Sequence, residues 1–161
     1  MKKGAISSLF ISVAAAELVG ALSGLLAGNA GAVYGTLSRP PLSPPGWVFP
    51  VVWTVLYALM GVAAYLVYQA PSEQGTKRRA LILYAAQLLV NFLWSIVFFR
   101  FEQFGLAAVV IGLLDILLIL TIAAFARISK PAAVLLLPYL VWVLFATYLN
   151  IGVVVLNGWA S

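Results

Sequence analysis

The sequence predicts an all-α membrane protein, a single bundle of five transmembrane helices, and three observations carry that prediction. The 161 residues are 65% hydrophobic and 8% charged, whereas a soluble domain holds roughly 45–50% apolar and about 25% charged residues. Five apolar runs, residues 5–28, 47–68, 80–99, 105–126 and 132–156, are each long enough at about 1.5 Å per residue to cross a hydrocarbon core about 30 Å thick. Nearly all charged residues fall in the breaks between runs, as expected where an ionised group in lipid is costly. The length supports one domain over residues 1–161.

The first run follows Lys2 and Lys3 and so resembles a signal peptide. At about 24 residues it exceeds the usual apolar region of about 7–15, which favours a retained helix. Ala16, Gly20, Gly24 and Gly28 recur on it every fourth residue, a small-residue stripe that permits close backbone approach within the bundle or between two copies. The connection 29–46 is the longest, and its second half reads SRPPLSPPG. Proline there favours polyproline or turn geometry, giving either a semi-rigid cover over the outer mouth of the bundle or a plain spacer. The second run ends at APSEQGTKRR, the third at RFEQF, and the fourth at RISKP, whose proline suits the first turn of the last helix.

The chain has no cysteine and no histidine. Disulfides, Cys/His zinc sites, cysteine nucleophiles and histidine acid/base chemistry are thereby excluded, and no metal or intrinsic cofactor is expected. The formal charge of +5 comes from short clusters between apolar runs. These read as topology signals and contacts to anionic lipid of the bilayer, and nucleic acid is not an expected partner. The N-terminus with the second and fourth connections holds Lys2, Lys3, Lys77, Arg78, Arg79, Arg127 and Lys130, whereas the opposite side holds Arg39 and Arg100. In a bacterial cell membrane this places the N-terminus in the cytoplasm and the C-terminus outside.

Polar and aromatic residues inside the runs normally face the bundle interior. Tyr84, Gln87, Asn91 and Ser95 share one face of the third helix, with Trp94 beside them; Tyr139, Trp142, Ala146 and Asn150 share one of the fifth; Trp53 and Tyr57 pair on the second. Such stripes either tie helices together and fill space or wall a cavity that holds a flat aromatic ligand by stacking and a few hydrogen bonds. Trp47 and Trp159 at run ends suit interfacial anchors. Glu17 and Asp115 are carboxyls inside runs, each read either as bonded to another helix or as serving a ligand or proton.

PPGWVFPVVWTVLY (residues 44–57), YAAQLLVNFLWSIVFF (84–99) and PYLVWVLFATYLN (138–150) together resemble the translocator protein family, also called tryptophan-rich sensory proteins or peripheral-type benzodiazepine receptors. The resemblance covers nearly the whole chain. It implies a five-helix bundle, commonly a homodimer, with a pocket beneath the first loop for porphyrins such as protoporphyrin IX and for isoquinoline-carboxamide and benzodiazepine ligands. It places Tyr34, Trp53, Asn91, Trp142 and Ala146 at that pocket, and Tyr57, Gln87 and Trp94 join them from the stripes above. The functional expectation is a porphyrin-binding protein that senses or handles tetrapyrroles under stress. One alternative is an enzyme that degrades porphyrin in light, with Trp53 and Trp142 as the catalytic pair; another is a transporter of porphyrin. After Asn150 the chain reads IGVVVLNGW without Lys or Arg, so the cholesterol-recognition pattern of animal members is absent and cholesterol is not an expected ligand. Leu42 stands where many relatives carry Trp, and Asp115 lies about one turn from the acidic position common in the family.

Overall fold

A computed structural model describes residues 3–160 of the chain. Lys2 and the side chain of Lys3, both counted in the charge asymmetry, lie outside the described residues. The described elements are all helices: α1 (Lys3–Ala27), α2 (Ala30–Thr36), α3 (Val48–Gln69), α4 (Gln74–Ser95), a wide turn continuing it (Ile96–Arg100), α5 (Phe104–Ala126), α6 (Lys130–Leu135) and α7 (Leu137–Asn157). Five segments are long and apolar enough to span, Gly4–Ala27, Val48–Gln69, Gln74–Arg100, Phe104–Ala126 and Lys130–Asn157. The protein is a multi-pass integral membrane bundle, as the composition predicts. Its helices close a ring in which α1 packs on α3, α3 on α6, α6 and α7 on α5, α5 on α4 and α4 on α1.

The ends of the spans differ from the sequence reading for local reasons. Gly28 sits at φ +79° and ends α1, the left-handed conformation that glycine adopts without a Cβ penalty. The segment 29–46 contains a helix, α2, which the proline content of its second half had obscured. Asn29 caps α2 by accepting from the Ala32 N–H at 3.2 Å. Helix α4 starts at Gln74 and not at residue 80, so Lys77, Arg78 and Arg79 ride on its first turns. Lys77 Nζ turns back to donate to the carbonyls of Tyr68 and Ala70, both at 3.2 Å, and so satisfies orphan groups at the end of α3. At the opposite end of the bundle Arg100 Nη1 does the same for the Leu26 carbonyl of α1, at 3.2 Å.

The last span, expected as one helix over 132–156, is interrupted at Leu136. Pro138 in the first turn of α7 has no N–H to continue the ladder from α6. Pro131 lies in the first turn of α6, and Ser129 caps that helix through the Ala132 N–H at 3.4 Å, as the RISKP break suggests. The core between the helices includes Met60, Val67, Ile111, Leu114, Leu118, Phe125, Tyr139 and Val143, each at most 1% exposed.

Candidate functional site

At the end of the bundle that carries α2, a cavity of about 530 Å³ lies between α1, α3 and α4. Residues Phe49, Trp53 and Tyr57 of α3 form one wall, and Trp94, Ser95 and Phe99 form another. The third wall is the small-residue face of α1, with Gly20, Ser23 and Gly24, and α2 covers the mouth with Ala30, Gly31 and Tyr34. The glycine stripe of α1 therefore divides in two. A Cβ at Gly20 would run into the Tyr57 ring, so that part of the stripe serves packing, whereas Gly24 borders open space on the cavity wall. A second groove, along Tyr68, Lys77 and Arg78 at the opposite end, lies open on the surface and has no aromatic enclosure beyond Tyr68.

The rings are set in two connected runs. Tyr34, Phe49 and Trp142 follow one another with edge-on contacts at 5.1 Å and 5.9 Å. Trp53 lies 5.8 Å from Tyr57 and 6.1 Å from Tyr139, which links the cavity wall to the interior. Edge-to-face and tilted pairs at these separations are favourable and fix ring orientation.

Of the eight residues singled out from the sequence, the structure brings Tyr34, Trp53, Tyr57 and Trp94 to the cavity. The other four stand behind its walls. Asn91, 1% exposed, donates from Nδ2 to the Tyr57 hydroxyl oxygen at 3.1 Å, which leaves the phenol proton able to donate elsewhere. Gln87, fully buried, accepts from the Tyr139 hydroxyl at 2.8 Å and points its Nε2 toward Met60 Sδ at 3.9 Å. Ala146 is buried in α7. Trp142 is half-buried behind Phe49, and its Nε1 is buried without a hydrogen-bond partner among the described residues. Of the two readings open from the sequence, both amides follow the one in which they tie helices together, as buried polar groups must find partners.

Trp94 belongs to both settings. Its ring lines the cavity while its Nε1 donates to Asn150 Oδ1 at 3.0 Å, and Asn150 Nδ2 donates to the Phe104 carbonyl at 2.9 Å. Asp115 lies away from the cavity, where the Thr147 hydroxyl donates to its Oδ2 at 2.9 Å and its Oδ1 is buried without a partner among the described residues. Glu17 is in the cavity wall, below Gly20. Phe49 and Phe99 also line the space and were not singled out from the sequence, because a phenylalanine in an apolar run carries no signal of which neighbour it faces.

The loop after α2 is fastened to α7. Ser38 N donates to Asn157 Oδ1 at 2.9 Å and Asn157 Nδ2 donates to the Ser38 carbonyl at 2.8 Å. The Tyr148 hydroxyl donates to the Pro41 carbonyl at 2.9 Å, and buried Pro40 lies against Gly152. Within the loop the Tyr34 hydroxyl donates to the Pro44 carbonyl at 2.6 Å. The cover is thus a tied strap with a short helix on it.

Residues 11–156 match the profile of the TspO/MBR family. Over 124 residues the chain is 44% identical to the Tryptophan-rich protein TspO of Chlorobaculum tepidum, covering 77% of this chain and 78% of that one. It is 40% identical to the Tryptophan-rich sensory protein of Cereibacter sphaeroides over 77% of this chain and 76% of the relative. It is 38% identical to the Translocator protein of Ovis aries over 73% and 70%. Five apolar spans, an aromatic cavity under the first loop and a family match running through all five spans agree: the chain belongs to the TspO/MBR family.

Proposed function

We propose that this protein binds a flat tetrapyrrole, of the protoporphyrin IX class, in the cavity beneath α2, and that it serves tetrapyrrole sensing or handling in a cell membrane. The observation that carries the reading is the aromatic enclosure itself: Tyr34, Phe49, Trp53, Trp94 and Phe99 line a space of about 530 Å³ beneath α2. A planar ligand gains burial and ring contacts there that a flexible chain would not match. Isoquinoline-carboxamide and benzodiazepine-type compounds fit the same chemistry, flat and mostly apolar. The word sensory in the name of the Cereibacter sphaeroides relative accords with a binding role.

Light-driven degradation by Trp53 and Trp142 acting together is less well supported, since only Trp53 borders the cavity. Titration of purified protein with protoporphyrin IX, followed by quenching of tryptophan fluorescence, tests the binding reading. Losing the Trp53 ring in Trp53→Leu is expected to weaken binding about tenfold, a contact of order 1–3 kcal/mol. Trp142→Phe should change it less, and Trp159→Phe least. Equal weakening by Trp159→Phe and Trp53→Leu would place the ligand on the outer surface and end the cavity reading.

A further inference from the structure

The groove at the opposite end of the bundle joins a basic end to an apolar one. It measures about 580 Å³ and lies between the end of α3 and the first turns of α4. Tyr68, Lys77 and Arg78 line it near the connection, and Leu81, Ile82 and Ala85 line it further along α4. These apolar residues follow Lys77 by four to eight positions, about 6–12 Å along the helix, which is the step from the headgroup layer of a bilayer into its hydrocarbon. Ile82, Leu89 and Leu93 are 57%, 58% and 44% exposed, so the groove leads onto the outer face of a membrane span and not into the bundle.

The basic end is set for an anion. Lys77 Nζ has three N–H groups, of which two reach the carbonyls of Tyr68 and Ala70. These bonds fix the ammonium at the groove and leave it one donor. The Arg78 guanidinium has no hydrogen bond or ion pair among the described residues. Glu73, the one acid of the connection, accepts from the Thr76 hydroxyl at 3.0 Å and does not line the groove. At the other end of the bundle, by contrast, Arg39 lies 4.8 Å from the centre of the Tyr34 ring and Arg100 is turned to the Leu26 carbonyl.

We propose that this groove holds a single anionic phospholipid, its phosphate between Lys77 and Arg78 and its acyl chain along Leu81, Ile82 and Ala85. The inference is independent of what fills the cavity beneath α2. The planar guanidinium meets two phosphate oxygens at once, and the fixed ammonium adds a point charge beside it. A soluble anion uses only the basic end of the groove, and an apolar molecule only the other. A zwitterionic headgroup brings its own ammonium next to two cations, and that like-charge contact selects a lipid with net negative charge.

The test uses the purified full chain in detergent, with bound lipid counted by native mass spectrometry. Phosphatidylglycerol and phosphatidylcholine with the same acyl chains are titrated in turn, and inorganic phosphate is the arm for a soluble anion. One phosphatidylglycerol per chain is expected to bind more tightly than phosphatidylcholine, and phosphate at the same concentration should not displace it. Arg78→Gln should weaken phosphatidylglycerol about fivefold, the scale of one basic residue at an anionic headgroup. Arg79→Gln, the same charge change at a residue that does not line the groove, should change it less than twofold. Ala85→Trp fills the apolar part without altering charge and should also weaken binding. Equal loss in Arg78→Gln and Arg79→Gln would mean diffuse attraction to the basic segment and would overturn the site. Equal binding of the two lipids, displacement by phosphate, or unaltered binding in Ala85→Trp would overturn it as well.

Discussion

Trp159 shows how one residue can hold two roles that sequence position alone does not separate. It is 58% exposed, as an interfacial anchor should be, yet its carbonyl accepts the Gly105 N–H at 2.9 Å and its indole lies directly over Gly105. It thereby closes the N-terminus of α5. A methyl at Gly105 would enter the indole, so Gly105→Ala is expected to destabilise by about 1–3 kcal/mol, while Gly112→Ala, facing open space, stays within about 0.5 kcal/mol. Thermal unfolding in detergent reads the difference, and equal midpoints for the two variants would refute the capping role. Asn150 is the second case. Asn150→Leu leaves the buried Trp94 N–H without its acceptor, a loss of about 1–3 kcal/mol. Adding Trp94→Phe should recover part of that loss, since the orphaned group is then gone. Sequence made Asn91, Gln87 and Asn150 recognisable as interior residues, because a polar side chain in a lipid-crossing run has nowhere else to go. It did not reveal that their partners are Tyr57, Tyr139 and Trp94, which depends on how far each helix is rotated and shifted against the next.

The five spans were legible as elements because each apolar run has nearly the length of the membrane, and only their ends moved. The ends moved where charged side chains could ride on a helix, as on the first turns of α4, or where backbone groups found a cation, as Leu26 found Arg100. Helix α2 was not legible. Its sequence AGAVYGT is too short for a periodic pattern, and its start depends on the Asn29 side chain. The strap that follows α2 should govern how fast ligand leaves. Removing the two Ser38 bonds with Asn157→Ala takes away ties worth about 0.5–1.5 kcal/mol each, so the protoporphyrin dissociation rate is expected to rise about 5- to 150-fold with little change in association. Stopped-flow dilution measures both rates. An unchanged dissociation rate would mean that ligand leaves by a route other than beneath the strap, for instance between α1 and α4 into lipid.

For the whole molecule, helix packing settles which ends lie together, and the charges decide which end faces the cytoplasm. The strap, the turn at residues 101–103 and the end of α7 share one end, as the contacts of Arg100 with Leu26, Asn157 with Ser38 and Gly105 with Trp159 require. That end carries Arg39 and Arg100, and the opposite end carries Lys77, Arg78, Arg79, Arg127 and Lys130, with Lys2 and Lys3 joining it along the sequence. Basic residues in short connections are retained on the cytoplasmic side, and every connection here is short enough for the rule to act. The mouth of the cavity is then expected to open outward, with the C-terminus on the same side. Neutralising Lys77, Arg78 and Arg79 together leaves Lys2, Lys3, Arg127 and Lys130 against Arg39 and Arg100, so the orientation should persist in that variant. Reversal needs a further step, such as adding basic residues to the strap. An alkaline phosphatase fusion after residue 161 should be active in wild type and in the neutralised variant, and a fluorescent protein that matures only in the cytoplasm should stay dark at the same position. A bright cytoplasmic reporter in wild type would turn the bundle over, and the cavity would then have to be loaded from inside the cell.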